Sequence, residues 1–167
     1  MVCRAGSLAG RAVSRKRPQT AHAAATETFP VTYLLDTNAC IALINGKPAP
    51  VRARFQKATE AGAEMVVSSV VAFELWYGVA KSAQPDLNAA RVETFFAGPL
   101  RILAFDEEDA KATGMIRAAM ESIGRPIGAY DLLIAGQALR HKMTLVTANV
   151  REFRRVKGLE WQDWASV

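Results

Sequence analysis

The chain has 167 residues, 50% apolar and 22% charged, the balance of one soluble globular domain rather than of a disordered or fibrous chain. Its net charge of +5 suggests a general nucleic-acid binder, yet Arg4, Arg11, Arg15, Lys16 and Arg17, with no acid among residues 1–26, account for all of it, and residues 27–167 hold 16 bases against 16 acids. Cys3 and Cys40 make no disulfide framework or zinc site, His22 and His141 make no paired ligand motif, and Ser69, Glu74 and Asp131 interrupt the richest apolar stretches, so a membrane span is excluded and a reducing cytoplasm is expected.

Residues 1–29 are rich in Ala, Arg, Ser and Thr, lack apolar periodicity, and carry Arg15-Lys16-Arg17 before Pro18, which reads as a disordered basic N-terminal extension. An organellar transit peptide has a similar composition, and a third reading puts the native start near Val31. From Val31 to Leu35 an apolar, β-branched and aromatic run forms a strand ending in Asp36, and a helix over Ala39 to Ile44 follows. Gly46 to Pro50 breaks the chain before an amphipathic helix from Val51 to Ala61, stopped by Gly62. Met65 to Val67 is a second strand, with Ser68 or Ser69 capping a helix that carries Phe73, Glu74, Leu75, Trp76 and Tyr77. A helix over Leu87 to Phe96 closes at Gly98-Pro99, Arg101 to Phe105 is a third strand, and Asp106 to Asp109 open a helix reaching about Ser122. After the loop Gly124 to Gly128 come a helix from Tyr130 to Arg140, a strand from Thr144 to Thr147, and a fifth strand within Leu159 to Trp164. Short unbroken apolar strands alternating with helices predict a three-layer α/β/α domain over residues 30–165, with a central parallel sheet of four to five strands.

In such sheets ligands bind beyond the carboxyl ends of the strands, which draws attention to Asp36, although Asp is also a favoured helix cap. Glu74 shares a helix face with Val70, Val71, Tyr77 and Gly78, and Asp131 with Ile127, Gly128, Ile134 and Ala135. A carboxylate on an apolar face is costly unless paired, hydrogen-bonded or bound to a cation, so two such acids plus one at a strand end point to a common site. Converging within about 5 Å, each pair would repel by roughly 3 kcal/mol at an effective dielectric near 20, a cost that protonation or a divalent ion relieves. Oxygen-only ligation favours Mg2+ or Mn2+ over zinc and suits phosphodiester hydrolysis.

Other residues have plainer readings. Asp106, Glu107, Glu108 and Asp109 sit where the helix macrodipole favours acids. Asn149 lies past the strand end at Thr147, either as a turn residue or as a neutral group holding water or an acid. Arg140, Lys142, Arg151, Arg154, Arg155 and Lys157, with Glu152 among them, form either a solvated face or a phosphate-binding strip. Trp76, Tyr77, Trp161 and Trp164 read as packing residues, and Cys40 as core.

Four strings, YLLDTNACIALI (33–44), SSVVAFELWYGVAKS (68–82), PIGAYDLLIAGQAL (126–139) and TLVTANVREFRRVKGLEWQDW (144–164), resemble in order the motifs of VapC-type toxins, the PIN-domain ribonucleases of bacterial type II toxin–antitoxin systems. The resemblance spans about residues 31–164 and leaves out residues 1–28. It implies a Mg2+- or Mn2+-dependent endoribonuclease with catalytic Asp36, Glu74, Asp131 and Asn149. Asp36 and Asp131 then contact the metal directly, and Glu74 reaches it through water. Many members have Asp where this chain has Asn149, and Glu152 is a candidate to compensate. Thr37, Asn38, Arg151 and Arg154 become candidates for substrate binding. A homodimer and a small antitoxin that inserts a segment to block the site are also implied.

Two other readings compete. Phosphotransfer is disfavoured because Asp36-Thr37-Asn38 lacks the second Asp of a haloacid-dehalogenase-type motif and no phosphate loop is present. The alternative is a catalytically weak PIN-like module that mainly binds its antitoxin.

Overall fold

The computed structural model describes residues 31–166; the expectation for the extension over 1–29 falls outside them. Five strands form one parallel sheet: β1 (Thr32–Leu35), β2 (Glu64–Ser68), β3 (Arg101–Leu103), β4 (Thr144–Val146) and β5 (Trp161–Gln162), in the order β3-β2-β1-β4-β5. Seven helices complete the described residues: α1 (Thr37–Asn45), α2 (Ala49–Glu60), α3 (Ser69–Lys81), α4 (Pro85–Phe96), α5 (Glu107–Ser122), α6 (Ala129–Arg140) and α7 (Val150–Phe153). The fold is the expected α/β/α arrangement, with the upper strand number.

The three inner strands are continuous apolar runs because both faces are covered. Leu34, Leu35, Val66, Val67, Leu145 and Val146 are all buried to within 1% of full enclosure. The edges are short, three residues in β3 and two in β5, which limits the unpaired backbone they present. Successive connections run from β1 outward through β2 to β3, and the chain then returns to place β4 on the other side of β1. The crevice beyond the ends of β1 and β4 is therefore a topological switch point, where open α/β sheets bind ligands.

Element boundaries differ from expectation for local reasons. Helix α2 begins two residues early because Pro48 and Pro50 sit at its start, where no amide donor is needed. Strand β3 ends at Leu103, not Phe105: the Ala104 carbonyl accepts from Gln137 Nε2 (2.9 Å) and the Phe105 N–H donates to Ser69 Oγ (3.0 Å), so side chains replace the sheet ladder. Helix α7 was not anticipated; its single turn folds on the Asn149 carbonyl and inserts Phe153, fully buried, into the core. Asp106 and Asp109 do form a reciprocal capping box at the start of α5.

Asp109 has a further part. It is buried, and besides the Asp106 N–H it accepts from Gln137 Nε2 (2.8 Å) and Arg140 (2.8 Å), with His141 Nε2 at 3.1 Å. Burial pushes its carboxyl up, but Arg140, the Asp106 N–H, Gln137 and His141 outweigh that and hold it below the usual Asp range. This cluster fastens α5 to α6, the helix that carries Asp131. The two helices pack tightly at Gly136, where a Cβ would fall 2.0 Å from Thr113 Oγ1 and 3.0 Å from Thr113 Cα.

Candidate active site

Asp36 leaves β1 in extended conformation and caps α1, so one residue serves both readings of its position. It is 3% exposed, with Oδ1 accepting from the Ala39 N–H (2.6 Å) and Oδ2 from the Thr147 hydroxyl (2.5 Å). The same hydroxyl accepts from the Asn149 N–H (2.9 Å), and Asn149 Nδ2 donates to Asp131 Oδ2 (3.0 Å). A continuous hydrogen-bonded run thus joins Asp36, Thr147, Asn149 and Asp131 across the ends of β1 and β4. On the opposite side, Thr37 donates its hydroxyl to Glu74 Oε2, tying the third acid on α3 to the first turn of α1.

The three acids feel one another. Burial pushes Asp36 up to about 6 against the pull of Thr147 and Ala39, and the charges of Asp131 and Glu74 add to the rise. Asp131 is raised too, by burial first, then by Glu74 and Glu152, while Asn149 opposes the rise. Neutral donors orient all three carboxylates, and among the described residues no Lys, Arg or His forms an ion pair with any of them. That uncompensated set of oxygen donors fits a hard divalent cation. Among the described residues no three His, Cys, Asp or Glu side chains group tightly enough to enclose an ion. Magnesium, which commonly keeps several waters and takes only one or two carboxylates, suits such an open set. Buried Cys40 is pushed up by burial and by Asp36, which keeps it a thiol.

Asp36, Glu74, Asp131 and Asn149 are thus brought together. Thr37 faces Glu74 through its hydroxyl, and Asn38 is exposed on the same turn of α1. Arg151 and Arg154 are exposed at α7, immediately after Asn149. Glu152 is not a free extra carboxylate, because Arg155 pairs with it. The basic strip needs a related correction. Arg140 is spent on Asp106 and Asp109, and Arg155 also donates to the Pro126 carbonyl (3.0 Å), which leaves Lys142, Arg151, Arg154 and Lys157 exposed. Of the four aromatics expected to pack, only Trp164 is buried, 3% exposed and edge-on to Tyr33; Trp76, Tyr77 and Trp161 are 41%, 54% and 36% exposed. Thr147 was missed. Its signal was its place, a hydroxyl one residue past an apolar strand, matching that of Asp36.

Acids placed around the switch point of a five-stranded parallel sheet mark a candidate site for chemistry on a ligand, and residues 33–159 match the PIN domain family. The tRNA(fMet)-specific endonuclease VapC of Shigella flexneri is 44% identical over 133 residues, covering 80% of this chain and 98% of that protein. Ribonuclease VapC2 of Haemophilus influenzae is 39% identical over 132 residues, 79% of this chain and 97% of its own length. Among solved structures, VapBC2 from Rickettsia felis bound to a DNA fragment from its promoter superposes with a TM-score of 0.76 at 34% identity, covering 80% of this chain and 99% of that one. DNA-bound VapBC from Salmonella typhimurium gives 0.74 at 42% identity, covering 80% and 98%. The chain belongs to the PIN-domain family and, within it, to the VapC ribonucleases, the toxins of toxin–antitoxin systems.

Proposed function

We propose that this ribonuclease toxin is a Mg2+- or Mn2+-dependent endoribonuclease that hydrolyses RNA by in-line attack of water on a phosphodiester. The observation that carries the reading is the hydrogen-bonded run from Asp36 through Thr147 and Asn149 to Asp131, with Glu74 alongside and, among the described residues, no cationic side chain in ion-pair contact. A bound divalent ion would polarise the phosphate and make water a better nucleophile at neutral pH. Asp36 and Asp131 would hold that ion, and Glu74 would orient its water shell. Thr147 and Ala39 fix the Asp36 carboxylate so that neither oxygen needs to reorganise during the reaction. Asn149 aims Asp131 without adding a further negative charge. Arg151 and Arg154 would neutralise phosphates of the incoming strand. Relatives named as tRNA(fMet)-specific endonucleases make initiator tRNA the first substrate to assay.

The same reading includes two protein partners. An apolar groove between α1, α2 and α4, about 300 Å³ and lined by Leu43, Ile44, Phe55 and Phe95 with Arg52 and Arg91, continues through Ile44 and Arg91 toward Glu74, a course suited to an antitoxin segment that ends at the acids. Phe73, Tyr77 and Tyr130, each about half exposed, with Phe73 stacked on Tyr77 and tilted against Tyr130, offer an aromatic face to a second copy of the chain. Residues 30–165 constitute the nuclease domain, with 1–29 as a basic extension.

Purified protein free of antitoxin, incubated with total RNA and Mg2+ or Mn2+, is expected to cleave, and EDTA to stop it. Asp36→Asn and Asp131→Asn should each abolish cleavage while the protein stays folded. Retained cleavage in both variants would overturn the reading. The competing module that mainly binds its antitoxin draws on the loose grouping of the carboxylates. Absence of cleavage with either ion would favour it.

A further inference from the structure

A second cavity lies against the two residues that hold Asp36. It lies between α1 and the ends of β4 and β5 and measures about 200 Å³. Ala39 and Thr147, the two residues that bond the Asp36 oxygens, both line it. We propose that this cavity receives one nucleobase of the RNA, the base beside the scissile phosphate, and thereby sets which bonds are cut. The assignment rests on the ribonuclease reading above and adds a substrate subsite to it.

Size and lining support a single flat ring. Pockets for whole small ligands run from roughly 300 to 1,000 Å³, so this one is suited to a fragment. Its walls include Ala39, Ala42, Val146 and Ala148, whose short side chains leave a slot, and the buried Trp164. Polar groups join this apolar lining. Asn38 is exposed on α1 and its amide offers both a donor and an acceptor, the combination that reads a base edge. Asp163 is fixed by the Ala165 N–H (2.8 Å) and adds an acceptor for an exocyclic amino group. Lys47, exposed, adds a cation for the adjoining phosphate. Apolar walls with a few convergent hydrogen-bonding groups are how proteins read splayed-out bases of single-stranded RNA. Because the cavity wall also positions Asp36, a base seated there brings its own phosphodiester to the acids.

The test is to map cut ends in total RNA by sequencing and to measure kcat and KM on a short single-stranded substrate carrying the preferred site. Wild-type protein should show a base preference at one position beside the cut. Asn38→Ala should flatten that preference and lower kcat/KM about tenfold. Ala42→Leu, which narrows the slot, should act chiefly by raising KM. Both variants should keep the wild-type rise in melting temperature on adding Mn2+ alone, a readout of folding and of the acids that does not depend on RNA. A wild-type profile without preference on either side of the cut would overturn the subsite, as would folded Asn38→Ala and Ala42→Leu proteins with wild-type profile and kcat/KM. Cleavage that survives Asp36→Asn overturns instead the ribonuclease reading on which the subsite depends.

Discussion

Asp36 carries two duties that pull against each other. As the cap of α1 it accepts from Ala39, which favours the carboxylate; as a buried neighbour of Glu74 and Asp131 it resists ionising. Its shift from 3.8 to about 6 means that the folded state holds this proton more tightly than the unfolded state. The associated stability is fully present below pH 3.8 and is lost as pH rises through about 6, leaving a cost of about 3 kcal/mol above that pH. Asp36→Asn keeps an acceptor for Ala39 and removes the charge. Without divalent ions it should therefore melt higher than wild type at pH 8, and the gap should vanish near pH 3.5, as followed by thermal unfolding. On the proposed metal-dependent reading the same proton would compete with the ion, so cleavage should fall as pH drops below about 6, measured as initial rate against pH at fixed Mn2+. Asp36, Glu74 and Asp131 were legible in the sequence because an acid at a strand end and acids on apolar helix faces are locally anomalous. Thr147 was not, since a threonine after a strand is ordinary until its partner, 111 residues away, is known.

Helices α5 and α6 illustrate what the local pattern reveals and what it hides. The acids opening α5 were recognisable as caps, because capping depends on residues within one turn. The fastening of Asp109 to Gln137, Arg140 and His141 was hidden, because those partners lie 28 to 32 residues further on. The basic strip was misleading for the same reason: its first member, Arg140, belongs to this clamp, nine residues and roughly 13 Å of helix away from Asp131. Gly136 leaves no room for a side chain at this contact. Gly136→Ala should force Thr113 and its backbone aside and destabilise the protein by about 1–3 kcal/mol, read as a lower urea midpoint with an unchanged slope. Because Asp131 rides on α6, the Mn2+-induced stabilisation should weaken as well.

At the scale of the whole molecule, charge and topology divide the work. Residues 27–167 are neutral overall and Arg140 and Arg155 are internally engaged, so the five bases among residues 1–26 are the largest local excess of positive charge in the sequence. A chain beginning at residue 30 should melt at the same temperature and still cleave. Its KM should depend less on salt, the logarithmic slope falling by about 0.7 for each phosphate the extension neutralises. Wild-type salt dependence in the shortened chain would show that the extension does not meet RNA. The order β3-β2-β1-β4-β5 was readable as a parallel sheet from alternating strands and helices, but the placement of β4 against β1 was not, and that placement makes the site. It also has a consequence during synthesis. A ribosome adding roughly 5–20 residues per second needs on the order of 6 to 22 seconds to pass from Asp36 to Thr147. Throughout that interval the emerging polypeptide owns Asp36 without the strand that orients it, so on the proposed reading the translating ribosome carries an inert nuclease until β4 and Thr147 have been made.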